Sequence, residues 1–270
     1  MEPIYQKGNV WLYHGDNVEF MRTVPEGVVD LTVTSPPYDD LRKYTEESAW
    51  TFDKFKEVAS ELYRITSEGG VVVWNVDNKV QKGSESLTSF KQAIFFVEVL
   101  GFKLHDTMIF HRERAPLNHK RYEQHFEYMF IFVKGSLTTF NGLTTKSIHG
   151  GKSRAAIRMR QSTTGDNLAA AHQTSTYKED KLIGNIWSYG VGNNKSTNDA
   201  EAFKHPATFP EQLAEDHIRS WSNEGDLVFD PFMGSGTVAK MAKKLNRRVM
   251  GCEIAKEYVD IQIARLEKEV

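Results

Sequence analysis

The chain has 270 residues, of which 40% are apolar and 26% charged, with a formal net charge of −2 and one cysteine, Cys252. That length supports one sizeable core and argues against two domains. A single cysteine excludes a disulfide framework and a cysteine-cage zinc site, and no run approaches the roughly 18 apolar residues of a membrane span. The opening residues, MEPIYQKGNVW, lack the basic-then-apolar pattern of a secretory signal. The expectation is a cytoplasmic protein with no membrane partner and no metal.

Short β-branched runs alternate with helical patterns, which predicts an α/β sheet covered on both faces. Val10–His14 and residues 30–34 (DLTVT) read as strands. Over 52–66, Phe52, Phe55, Val58, Ala59, Leu62 and Ile65 fall on one helical face. Gly69-Gly70 is expected to end that helix before a buried strand at 71–76. Phe90, Ala93, Ile94, Val97 and Leu100 mark the next helix, closed by Gly101, and 107–111 and 128–133 read as two more strands. Order is lost over 140–205, where Ser, Thr, Asn, Gly and basic residues dominate without an apolar period. Stretches of this kind inside compact domains are usually functional or disordered. It returns at Phe209-Pro210, a helix start, with Leu213, Ala214, His217, Ile218 and Trp221 on one face. A strand at 227–229, a helix marked by Val238, Met241, Ala242 and Leu245, a strand at 247–252 and a helix at 255–269 complete the chain.

Charge is unevenly spread. Between residues 134 and 200 there are nine Lys or Arg against four Asp or Glu, a net of +5, leaving −7 for the remainder. Such asymmetry suits a local surface facing a polyanion, although a solvated loop has the same composition.

Two motifs carry chemistry. The first is Asp230-Pro231-Phe232-Met233-Gly234-Ser235-Gly236-Thr237, set between a strand and a helix. Its glycines permit a tight turn, and the following helix offers N–H groups to an anionic ligand end. Glu253 closes the next strand, where an acidic residue can bond ribose hydroxyls. No Gly-Lys-Ser/Thr follows, so this is not a phosphate-transfer loop. The second is Thr34-Ser35-Pro36-Pro37-Tyr38, at the carboxyl end of a strand where α/β sheets bind ligands. The prolines remove two N–H donors and leave a rigid rim of carbonyls. Ser35 adds an acceptor and Tyr38 a flat face, a set that suits a planar ring bearing an exocyclic amine. A proline turn with a core tyrosine is the plainer alternative.

Taken together, the motifs closely resemble those of the amino-group DNA methyltransferases that use S-adenosyl-L-methionine. Residues 230–237 resemble their cofactor loop, and Ser35, Pro36, Pro37 and Tyr38 their catalytic tetrapeptide. The catalytic motif comes first and the recognition region lies between the two, an order similar to the family's circularly permuted β group. His14-Gly15-Asp16 resembles the acidic segment that contacts the cofactor's adenine, His205-Pro206-Ala207-Thr208-Phe209-Pro210 the segment before the cofactor strand, and residues 127–135 (EYMFIFVKG) the strand entering the recognition region. Phe110-His111-Arg112 departs from the tryptophan often found in the wall of the base pocket.

The resemblance implies a doubly wound, mostly parallel, seven-stranded Rossmann-like sheet, one methyltransferase domain over 1–270 with a target-recognition insertion at 136–204. It implies cofactor binding by Asp16, Asp230, Phe232, Gly234, Ser235, Gly236, Thr237 and Glu253. The substrate is then duplex DNA, gripped by Lys152, Arg154, Arg158 and Arg160, with the target nucleotide flipped out. Ser at the first tetrapeptide position is more typical of the N4-cytosine members and Asp of the N6-adenine members, so cytosine N4 leads. C5-cytosine chemistry is set aside because Cys252 has the context of a buried structural thiol. A homodimer and a separately acting restriction endonuclease are partners the resemblance allows. A non-catalytic nucleotide-binding regulator, or a methyltransferase of RNA or protein amides, are the competing readings; the intact tetrapeptide opposes the former and the long basic insertion the latter.

Overall fold

The computed structural model describes residues 2–37, 50–112, 122–158, 171–192, 195–205 and 208–268. The chain divides into two compact units, one comprising Met1–Asn141 with Asn185–Val270 and the other Gly142–Gly184.

The larger unit is built on a nine-stranded sheet. Its strands are β1 (Tyr5–Lys7), β2 (Val10–His14), β3 (Val29–Thr34), β4 (Thr66–Val76), β5 (Lys103–His111), β6 (Phe126–Val133), β7 (Ile186–Ser188), β8 (Leu227–Asp230) and β9 (Arg248–Glu253), in the spatial order β1-β2-β9-β8-β3-β4-β6-β5-β7. The seven expected strands form the continuous centre, and the difference is two three-residue edge strands, β1 and β7. The block β2-β9-β8-β3-β4 is parallel throughout, whereas β6 runs antiparallel to both β4 and β5. Helices α1 (Asn17–Thr23), α2 (Phe52–Ile65), α3 (Thr88–Ile94), α4 (Glu211–Trp221), α5 (Thr237–Lys244) and α6 (Lys256–Lys268) accompany it. None of the described helices is long and apolar enough to cross a membrane.

Local chemistry accounts for most of these elements. Thr51 caps α2 by accepting the Lys54 N–H, and Phe55, Val58, Ala59, Leu62 and Ile65 are all fully buried. They pack with Trp74 of β4 and with Phe96, Phe102 and Phe132 in an aromatic core. In α4, with Pro210 at its N-cap, Leu213, Ala214, His217 and Ile218 are fully buried and Trp221 nearly so.

Two expectations are corrected. Gly69-Gly70 does not separate α2 from the next strand: β4 begins at Thr66, and the glycines sit inside it where the pairing with β3 slips between Thr66 and Val71. Gly69 takes φ +81°, and a Cβ there would meet Thr138 Cγ2 at 2.3 Å, so an irregularity and a close approach require glycine. The second concerns α3, which passes into a π-turn at Phe95–Val99. The buried face is Ser89, Gln92, Ala93 and Phe96, one position round the helix from the expected one, which leaves Phe90 and Ile94 substantially exposed. Gln92 uses its place there to accept the Trp74 indole N–H at 2.9 Å.

The smaller unit holds two antiparallel pairs, Ser153–Arg158 with Ala171–Thr176 and Thr144–Lys146 with Asp180–Leu182. Lys134, counted in the basic stretch, is a core residue instead. Its Nζ donates to the carbonyls of Tyr63 and Thr66, each at 2.9 Å, closing the end of α2.

Candidate functional site

Parallel pairing brings the carboxyl ends of β2, β9, β8, β3 and β4 to one edge of the sheet. The registers Val228↔Leu31 and Phe229↔Thr32 make β8 and β3 direct neighbours. The loops that follow them, one carrying Gly234 and the other Ser35, therefore start side by side. A buried hydrogen bond links them, with the Thr34 hydroxyl donating to Asp230 Oδ1 at 2.7 Å.

On the cofactor side, Asp230 Oδ1 also accepts the Phe232 N–H at 2.9 Å, which turns the chain sharply at Pro231. Gly234 and Gly236 adopt φ +49° and +79°. An added Cβ would meet His205 Nε2 at 3.1 Å from Gly234 and Gln262 Cγ at 2.9 Å from Gly236, so close approach as well as left-handed backbone requires glycine. Glu253, at the tip of β9, accepts the Gly234 N–H on Oε2 and the Ala255 N–H on Oε1, at 2.8 and 2.9 Å. Asp16, just past the tip of β2, caps α1 and pairs with Lys54 Nζ at 2.7 Å. Phe232 sets its ring edge-on to Trp50, with centroids 5.2 Å apart, and reaches Trp74 of β4. The hydroxyls of Ser235 and Thr237 face inward, toward the buried Arg265.

The three acidic residues at these strand tips sit in unlike electrostatic surroundings. Burial, reinforced by the carboxylate of Glu253, pushes Asp230 up to about 7 against the pull of its two hydrogen bonds. Burial likewise raises Glu253, opposed by backbone N–H groups. Burial acts on Asp16 too, but the hydrogen bond and charge of Lys54, with the N–H groups of Val18 and Glu19, hold its carboxyl below the ordinary range. Of three carboxyls at the tips of three adjacent strands, two are poorly solvated and the third already has Lys54 as its counter-cation.

On the catalytic side, Pro36 is buried, and Ser35 and Pro37 are partly exposed. Tyr38 lies outside the described residues. Beyond the tip of β4, the Arg112 guanidinium pairs with Asp77 at 3.0 Å and with Glu127, while Asn75 Nδ2 donates to Glu127 at 2.6 Å. Arg112 is thus tied into a charged network with Asp77, Glu127 and Asn75. Cys252 is buried, donates to the Gly15 carbonyl, and has its thiol pKa pushed well up by burial. Of the basic residues expected at DNA, Lys152 is exposed in the smaller unit, Arg154 and Arg158 lie on its Ser153–Arg158 strand, and Arg160 falls outside the described residues. His205 packs its ring against Tyr258 and over Gly234.

Lys54, Gln262 and Arg265 lie outside every motif of the sequence, and Thr34, though it opens the second motif, shows no sign there of its bond to Asp230. Only Arg265 left a visible signal: a basic residue on the stripe of α6 that buries Tyr258, Val259, Gln262 and Leu266.

A mainly parallel sheet with a glycine turn and acidic strand tips defines a nucleotide-type site of the doubly wound class. Comparison with known proteins specifies it further. Residues 29–265 match the DNA methylase family. The chain is 52% identical over 243 residues to the orphan methyltransferase M.BamHII of Bacillus amyloliquefaciens, covering 90% of each chain. It is 26% identical over 267 residues to the DNA adenine methyltransferase YhdJ of Escherichia coli (strain K12), covering 95% of this chain and 82% of the relative. Among solved structures, the cytosine-N4-specific PvuII DNA methyltransferase superposes with a TM-score of 0.71 at 20% identity, covering 98% and 88% of the two chains. The M1.HpyAVI-SAM complex gives 0.62 at 23% identity, covering 95% and 98%. The chain belongs to the DNA methylase family, the DNA methyltransferases of the N4/N6 type.

Proposed function

We propose that the protein transfers a methyl group from S-adenosyl-L-methionine to the exocyclic N4 of a flipped-out cytosine in duplex DNA. The observation that carries this reading is the junction of the two motifs: Thr34 and Asp230 hold the serine-proline loop and the glycine loop at neighbouring strand tips.

The cofactor fits the residues present. The glycine turn at 234–236 admits close backbone approach, and carboxyl oxygens stand beside it at the tips of the neighbouring strands. Asp16 and Glu253 are the acceptors suited to the adenine amine and the ribose hydroxyls, and Phe232 supplies an apolar face. When bound, S-adenosyl-L-methionine supplies an electrophilic methyl group.

The remaining work is that of the chain. A cytosine amine is a weak nucleophile because its lone pair is delocalised into the ring. Ser35 Oγ and the Pro36 carbonyl accept its two N–H bonds, which favours a more pyramidal, electron-rich nitrogen and stabilises positive charge developing there. The prolines fix these acceptors in place, so positioning is the main catalytic contribution. Tyr38 offers the flipped ring a stacking face, worth about 1–3 kcal/mol against an extrusion cost of a few kcal/mol. Lys152, Arg154, Arg158 and Arg160 serve phosphates and base edges.

Ser35 supports cytosine, since serine at this position is more typical of N4 enzymes. Adenine N6 is the second reading, favoured by the similarity to YhdJ, whose name gives adenine. Incubation of mixed-sequence duplex DNA with labelled S-adenosyl-L-methionine, followed by nucleoside mass spectrometry, tests the reading. N4-methylcytosine is expected; N6-methyladenine would transfer the account to the second reading, and no labelled base would overturn both.

A further inference from the structure

Beneath the glycine loop lies a fully buried guanidinium. The Arg265 side chain has no exposed surface, and burying an unpaired charge would be prohibitive. Each of its three nitrogens instead finds an acceptor. Nη1 donates to the Ser235 carbonyl and lies 3.2 and 3.3 Å from the hydroxyls of Ser235 and Thr237. Nε donates to Asp199 Oδ2 at 2.9 Å and Nη2 to Glu211 Oε1 at 2.7 Å. Lys240 Nζ and the Thr197 hydroxyl converge on the same Glu211 oxygen, at 2.9 and 2.6 Å. Two cations thus face two carboxylates. Burial would raise Asp199, but the Arg265 hydrogen bond and charge hold it below its ordinary range.

The geometry of this contact controls what the loop displays. One turn earlier on α6, Gln262 Nε2 donates to the Gly234 carbonyl at 2.9 Å. Two successive loop carbonyls are therefore drawn onto one face of α6. Because a trans peptide sets its N–H opposite its C=O, the Ser235 and Gly236 N–H groups are turned away from α6. The Gly236 N–H closes the turn on the Met233 carbonyl at 2.8 Å, which leaves the Ser235 N–H as the group aimed outward. A lysine keeps the charge but cannot span the Ser235 carbonyl, Asp199 and Glu211 together, since only the planar fork offers donors in three directions.

We propose that Arg265, oriented by Asp199 and Glu211, is a positioning residue that holds the 234–237 loop in its ligand-accepting form. Asp199 lies on the stretch leading from the smaller unit to α4, so the same ion pair fastens that stretch to the loop. The inference rests on the cofactor reading above, and binding measurements separate the two. Equilibrium dialysis with labelled S-adenosyl-L-methionine, alongside thermal melting and steady-state kinetics, should show Arg265→Lys weakening cofactor binding about 10- to 100-fold, with KM rising in parallel and kcat at saturating cofactor falling less than about threefold. Asp199→Asn, which leaves the arginine and an acceptor oxygen in place, should stay folded and weaken binding about three- to tenfold. Folded variants that bind the cofactor within twofold of wild type, whatever their melting temperature, would overturn the proposal and leave the cofactor reading intact. A wild-type protein that binds no cofactor would overturn the reading on which it rests.

Discussion

Replacing Asp230 with asparagine separates the cost of a buried carboxylate from the hydrogen bonds it makes. Its Oδ1 accepts from Thr34 and from the Phe232 N–H, and an asparagine oxygen can keep both. Burial and the nearby Glu253 raise the folded pKa to about 7 from 3.8. Between those values the native state holds a proton that the unfolded chain has lost, so stability falls as pH rises through this window. The full difference corresponds to about 4 kcal/mol, of which about 1.6 kcal/mol is already lost by pH 5. Asparagine has no such dependence. Urea denaturation should therefore show the stability of Asp230→Asn, relative to wild type, improving by about 2–3 kcal/mol between pH 5 and pH 8.5. A stability difference that is the same at both pH values would refute the assignment of a poorly solvated carboxyl at this strand tip.

Ser35→Ala should lower kcat about 100-fold while leaving cofactor dissociation within twofold, measured by single-turnover methylation and dialysis. Gly236→Ala forces a side chain into left-handed backbone and against Gln262; a loss of about 1–2 kcal/mol in denaturation and at least tenfold weaker cofactor binding are expected. Lys152→Ala and Arg158→Ala should each weaken duplex binding uniformly across sequences and flatten its salt dependence, with cofactor affinity intact, as read by fluorescence anisotropy at several salt concentrations.

The parts of this molecule legible in its sequence are those governed by local rules. The apolar spacing of Phe55, Val58, Ala59, Leu62 and Ile65 marked α2, and the glycines and proline of 230–237 marked a strand-to-helix turn. The wrong inferences came from features that acquire meaning only in three dimensions. Gly69-Gly70 looks like a helix stop because glycine serves helix ends and strand irregularities alike, and only the slipped pairing of β4 with β3 decides between them. The exposed Phe90 and Ile94 fit a 3.6-residue period as well as the buried Ser89, Gln92, Ala93 and Phe96 do, and only packing against the sheet selects between two faces one position apart. Lys134 counted as surface charge because a cation capping α2 from within the core leaves no local trace. The site was half legible. Its acids and glycines stand in recognisable motifs, whereas Thr34, Lys54 and Arg265 act across 196, 38 and 66 positions to Asp230, Asp16 and Asp199, a separation no sequence period encodes.

Methyl transfer as proposed requires one cleft shared by two loops that lie far apart along the chain. Crystallisation with a non-transferable cofactor analogue and a duplex that the enzyme methylates tests it most directly. The expected result is an extruded cytosine whose amine contacts Ser35 Oγ and the Pro36 carbonyl and faces the analogue's transferring position at about 3–3.5 Å. An analogue seated on the 234–237 loop with the extruded base lodged elsewhere on the protein would contradict it.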